Sequence, residues 1–115
     1  MSRTRVFTPE PTDRYDLTEA QVFGEVVPLL KSAAPFSPEG IMLDFIAAFE
    51  DQQFNPAVDF ICLTGKSLAV ALLLSAALLR YDKIKVLMFD APTSKYIQRN
   101  IDKEFLSLEK EVRDE

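Results

Sequence analysis

The sequence predicts a single small α/β domain, β-α-β-α-β-β in order, with a mostly parallel sheet and one antiparallel edge strand. Three observations predict it. Two short, nearly unbroken apolar runs, over 58–63 and 84–89, have the length of strands covered on both faces. Each is preceded by a stretch with helical spacing, and strands alternating with helices imply right-handed parallel crossovers. The 115 residues suit one domain, which at this size buries roughly two-thirds of its unfolded surface.

Residues 1–15 hold Pro9 and Pro11 and few apolar groups, and read as an extended N-terminal arm. Arg5 to Thr8 could add a short strand if an edge is available to pair with. With so few apolar residues, the arm up to about Thr12 is expected to be mobile or held by another subunit. The domain proper is expected over 16–104 and a charged tail over 105–115. Asp16 to Ala20 predicts a turn. Residues 23–30 are β-branched and apolar and predict a strand; Pro28 cannot donate to a ladder, so it places this strand at an edge or itself near the strand end.

Ser37-Pro38-Glu39 predicts a helix start, with serine as N-cap, proline in the first turn and an acid at the positive end of the dipole. Met42, Phe45, Ile46 and Phe49 continue the period to about Gln53, and Asn55-Pro56 breaks it. Thr64-Gly65-Lys66-Ser67 turns the chain into a second helix, from Ser67 to about Arg80. That helix is apolar almost all round, which implies burial on more than one side. Ala91 to Ser94 closes a hairpin onto a strand over 95–101, which alternates as a half-exposed edge should. Tyr96 and Arg99 fall on its opposite faces.

Composition narrows the function. The net charge of −5 argues against a chain that coats nucleic acid or anionic membrane, because phosphate binding needs excess Lys and Arg. The longest apolar stretch, 68–79, is shorter than the about 20 residues a membrane span needs. No apolar segment follows Met1 to Arg5, so no signal peptide is expected, and a lone Cys62 within an apolar run fits a reducing cytoplasm. With no histidine, a Ser-His-Asp triad, a Cys-His pair and an imidazole-ligated zinc site are excluded, and one cysteine cannot build a thiolate site. No cofactor is expected, and a non-enzymatic role is favoured.

Leu63-Thr64-Gly65-Lys66-Ser67, at a strand-to-helix turn, is similar to the end of a P-loop, where backbone N–H groups cradle an anion and lysine adds charge. The pattern fails one test: the glycine needed five positions before Gly65 is Phe60, inside the strand. A weaker anion or nucleotide contact stays open beside the plain reading of a glycine-containing turn. In open parallel sheets the ligand crevice lies beyond the carboxyl ends of the strands. The topology gathers Lys31, Ser32, Thr64, Gly65, Lys66, Ser67 and Asp90 at that end, and these are the candidate ligand-binding residues. Asp90 is also the residue type that caps loops.

Tyr15-Asp16-Leu17-Thr18, Phe23-Gly24-Glu25, Phe54-Asn55-Pro56-Ala57-Val58-Asp59, Leu63-Thr64-Gly65, Lys85-Val86-Leu87, Asp90 and Tyr96-Ile97 together resemble a family of short α/β proteins encoded by tailed phages. The resemblance spans about residues 15–101 and carries no activity. It implies a phage protein working in the bacterial cytoplasm. It also implies that the positions of Lys66 and Ser67 are not reliably basic and hydroxylic among relatives, which weakens the P-loop reading.

Two functions are therefore expected to compete: a phage accessory module that binds a host or phage macromolecule, and a binding protein for a small anion such as a nucleotide. A homo-oligomer, most simply a dimer, is expected as well. If the four strands lie in chain order, both helices cover one face and leave the other bare. The alternative, with the strand over 58–63 outside that over 23–30, would put one helix on each face.

Overall fold

A computed structural model describes residues 4–11, 17–31 and 37–105. Five strands form one sheet: β1 (Arg5–Thr8), β2 (Glu25–Pro28), β3 (Phe60–Cys62), β4 (Lys83–Asp90) and β5 (Lys95–Asp102). Their order is β2-β1-β3-β4-β5, parallel throughout except for the antiparallel β4–β5 hairpin. Two helices, α1 (Pro38–Asp51) and α2 (Ser67–Arg80), link β2 to β3 and β3 to β4. Ser37 caps α1 as expected, its hydroxyl accepting from the Gly40 N–H at 3.1 Å.

The N-terminal segment departs from the expected arm. β1 pairs β2 on one side and β3 on the other, so it is an interior strand and not an addition to an edge. Val6 and Phe7 are fully buried. Short length and a polar start concealed it in the sequence; a strand paired on both sides draws most of its hold from neighbours remote in the chain. A 3-10 turn, Glu19–Val22, follows in the return towards β2. Gly24 lets β2 start close beside the first strand, since a Cβ there would stand 2.6 Å from the Thr4 carbonyl oxygen.

The remaining strands keep chain order, with β1 inserted between β2 and β3. Right-handed crossovers that step the same way along the sheet put both helices on one face. There Phe7, Phe45, Phe49, Ile61, Leu73 and Val86 form the main core. The crossover from β1 to β2 steps the other way and lands on the opposite face. Ala20 and Phe23 pack there over Val6, Phe60 and Cys62, with Phe23 edge-on to Phe60 at 5.4 Å. The second face is thus partly covered by the chain's own crossover, which corrects the expectation that chain order would leave it bare. Pro28 ends β2 at the sheet edge, as its missing N–H requires. Residues 12–16, 32–36 and 106–115, with Ser32, lie outside the described residues, as does nearly all of the expected tail.

Candidate functional site

The winding direction reverses between β1 and β3, and in open α/β sheets that reversal opens a crevice beyond the carboxyl ends of the two strands. β1 delivers Thr8, Pro9 and Glu10 to it, and β3 delivers Thr64, Gly65 and Lys66. Gly65 sits at φ +119°, a left-handed conformation that favours glycine, and Pro9 Cγ would lie 3.8 Å from a Cβ placed there. Lys66 occupies the N-cap position of α2 without making a side-chain cap bond, and Ser67 opens the helix, exposed. The first turn of α2 holds no acidic residue. Its leading N–H groups are the anion-friendly feature of the crevice.

Charge weakens that feature. Lys66 Nζ stands 3.9 Å from Glu10 Oε1, so the lysine is shared with a carboxylate that an incoming phosphate would meet. Glu10 went unread in the sequence because the segment carrying it was expected to be an arm. Thr64 is buried, on the same side of its strand as Cys62. Its hydroxyl stands near enough to the Cys62 thiol to favour the thiolate, yet finds no hydrogen-bond partner of full geometry.

The other expected site residues lie further out. Lys31 is exposed, just beyond the point where the Leu30 N–H donates to the Pro9 carbonyl at 3.1 Å. β4 runs past the end of β3 to Asp90, which pairs with Lys95 at the hairpin tip. There Asp90 Oδ2 accepts from the Thr93 hydroxyl at 2.6 Å, so it performs the loop-capping role. Tyr96 is buried against Phe89, with ring centroids 5.4 Å apart, and so lines the sheet. Glu50 forms an ion pair with Arg80, joining the two helices.

Cys62 is no nucleophile at neutral pH. Burial pushes its thiol up to about 11, with the Thr64 and Tyr96 hydroxyls offsetting only part of the shift. The ordinary value is 9.0, so between pH 9 and 11 the unfolded chain releases a proton that the folded chain keeps. Stability is whole below that window and falls through it by about 1.4 kcal/mol per pH unit, up to about 2–3 kcal/mol. Chemical denaturation at pH 8, 9.5 and 11 checks this. The native chain should lose more stability across the series than Cys62→Ala does, and equal losses would refute it.

At the amino ends of the strands, a cavity of about 370 Å³ is lined by Arg5, Glu25, Gln52, Gln53, Asn55 and Asp59. Its polar groups are largely engaged with one another. Asp59 is buried and accepts from the Arg5 N–H at 3.1 Å, from Arg5 Nη2 at 3.2 Å and from the Asn55 N–H at 2.9 Å. Arg5 also donates to the Gln52 side chain and the Gln53 carbonyl. This knot ties β1 to the loop before β3 and serves structure. Among the described residues, no three Cys, Asp or Glu side chains gather as metal ligands, and no helix is long and apolar enough to cross a membrane.

The fold and this crevice define a small, mostly parallel, doubly wound α/β domain with an antiparallel hairpin at one edge. The chain belongs to the Phage Pam3 gp32-like protein family, whose profile matches residues 4–103. No curated protein and no solved structure matches it.

Proposed function

We propose that this phage protein is a non-enzymatic accessory module that acts in the host bacterial cytoplasm by binding another macromolecule, a host or phage protein or a second copy of itself. The outer side of α2 carries the reading. Leu68, Ala71, Ser75 and Leu79 recur at helical spacing on the exposed side, with Leu72 beside them half-buried against the core, and Leu68 and Leu79 are 44% and 61% exposed. The hydroxyl in the stripe is exposed and bonded to its own helix, Ser75 donating to the Ala71 carbonyl at 2.8 Å. Single exposed leucines are ordinary, but two on one helix face with Ala71 between them suit a contact surface.

The simplest occupant is a second copy, since two-fold interfaces are the commonest. Light scattering after size exclusion, at micromolar concentration, should give more than one chain mass for the native protein. Leu68→Glu with Leu79→Glu should give one chain mass with unchanged circular dichroism. If the native chain is a monomer, the same pair of proteins used as baits in infected-cell lysate should differ in a captured protein. A monomer whose captured proteins the double variant does not change would overturn the proposal.

A nucleotide or phosphate at the Gly65 turn is the second reading. The uncapped start of α2 favours it, and Glu10 beside Lys66 counts against it. Under this reading, ATP or phosphate raises the melting temperature of the native chain and not of Lys66→Glu.

A further inference from the structure

The two edges of the sheet are not alike. β2 is four residues long and ends in Pro28, which blunts it. β5 is eight residues long, contains neither proline nor glycine, and keeps unbroken register with β4 from Lys95 to Asp102. Among the described residues it pairs with β4 alone.

Two bonds fix which of its backbone groups face outwards. The Lys103 N–H donates to the Asp82 carbonyl at 2.8 Å, one step beyond the register pair Lys83–Asp102. The Leu63 N–H donates to the Leu87 carbonyl at 2.9 Å, so Leu87 turns its groups towards β3. In an antiparallel ladder, hydrogen-bonded and non-hydrogen-bonded pairs alternate. Ile97, Arg99 and Ile101 therefore bond β4, while Gln98 and Asn100 point N–H and C=O away from the sheet. The free edge is a ready template for another strand.

Its charge selects the strand. Lys95, Ile97, Arg99 and Ile101 alternate basic and apolar on the helix-side face of β5. Ile97 is paired with Met88, which is 47% exposed. Lys95 and Arg99 are exposed and take no part in an ion pair among the described residues, although the whole chain carries −5. Arg99 Nη1 donates to the Gln98 carbonyl at 2.7 Å, which places the guanidinium at the open edge.

We infer that β5 is a strand-addition site for an extended acidic segment of a partner protein, one whose every second residue, all on one face, is in turn a carboxylate and an apolar side chain. The incoming backbone bonds Asn100 and Gln98, displacing Arg99 from the Gln98 carbonyl. Its carboxylates meet Arg99 and Lys95, and its apolar residues lie beside Ile97 and Ile101. This names a partner chemistry within the binding role proposed above, on a different element, so the two can fail separately.

Fluorescence anisotropy with a labelled peptide repeating Glu-Thr-Val-Thr tests it, with one repeating Lys-Thr-Val-Thr as the counterpart. The full chain should bind the acidic peptide and weaken as salt rises. Gln98→Pro removes an outward N–H while sparing the bonds to β4. It should melt within a few degrees of the native chain and bind about tenfold less tightly. Arg99→Glu should shift preference towards the lysine peptide, a readout that a folding defect would not produce. Leu68→Glu with Leu79→Glu should leave peptide binding intact. Binding of neither peptide, equal binding of both, or indifference to Gln98→Pro would overturn the inference. So would a gain of about tenfold in the full chain carrying Glu109→Lys and Glu111→Lys, which would assign the edge to the chain's own acidic C-terminal residues.

Discussion

Phe7→Ala is expected to destabilise the protein by about 3–5 kcal/mol, the range for truncating a large aromatic in a packed core. Phe7 is fully buried on the helix side of β1, and its ring packs on Phe54 with centroids 5.7 Å apart. Phe54 in turn meets Phe49 and Tyr81, both at 5.0 Å. The loss therefore opens a void under several rings at once, where collapse is difficult. Since a domain holds only about 5–15 kcal/mol in all, much of the stability would go. Urea unfolding monitored by circular dichroism measures the change. A cost below about 1 kcal/mol would mean that β1 is not an interior strand in solution. Hydrogen exchange gives an independent check: the Phe7 amide should be protected in dilute protein at every concentration, whereas an arm held by another subunit would gain protection only as concentration rises.

Asp59→Ala should cost a similar amount, about 3–5 kcal/mol, as breaking a buried ion pair does. The Asp59 side chain is 2% exposed, and removing it strands the N–H groups of Arg5 and Asn55 together with one end of the Arg5 guanidinium. Asp59→Asn keeps one acceptor and should cost less. The same urea titration ranks the variants. If alanine and asparagine prove equally mild, the knot at the amino ends does not hold β1 in place.

Much of the architecture is legible in the residues. The apolar runs around Ile61 and Val86 announce covered strands, Ser37-Pro38 fixes where α1 begins, Pro28 marks an edge, and the alternation after Ser94 marks a hairpin strand. Those signals are local, since each rests on a side chain's own preference or on a period within one element. Half of the crevice is legible for the same reason, because a strand-turn-helix junction at Gly65 is a local pattern. The family resemblance likewise rests on local motifs, and the matched region, residues 4–103, reaches further towards the N-terminus than those motifs do.

What the tertiary structure decided is where Arg5 to Thr8 belongs and everything that follows from it. Four residues ending before a proline carry little strand signal of their own. They become the strand between β2 and β3 because each of those offers an edge, and because Asp59, 54 residues away, accepts the Arg5 N–H. That placement brings Glu10 to Lys66, sends the next crossover across the second face, and so decides the electrostatics of the crevice. The outward turn of Gln98 and Asn100 is likewise invisible in the sequence, because composition is indifferent to which carbonyls a ladder uses. Register decides it, and register is a property of two strands together.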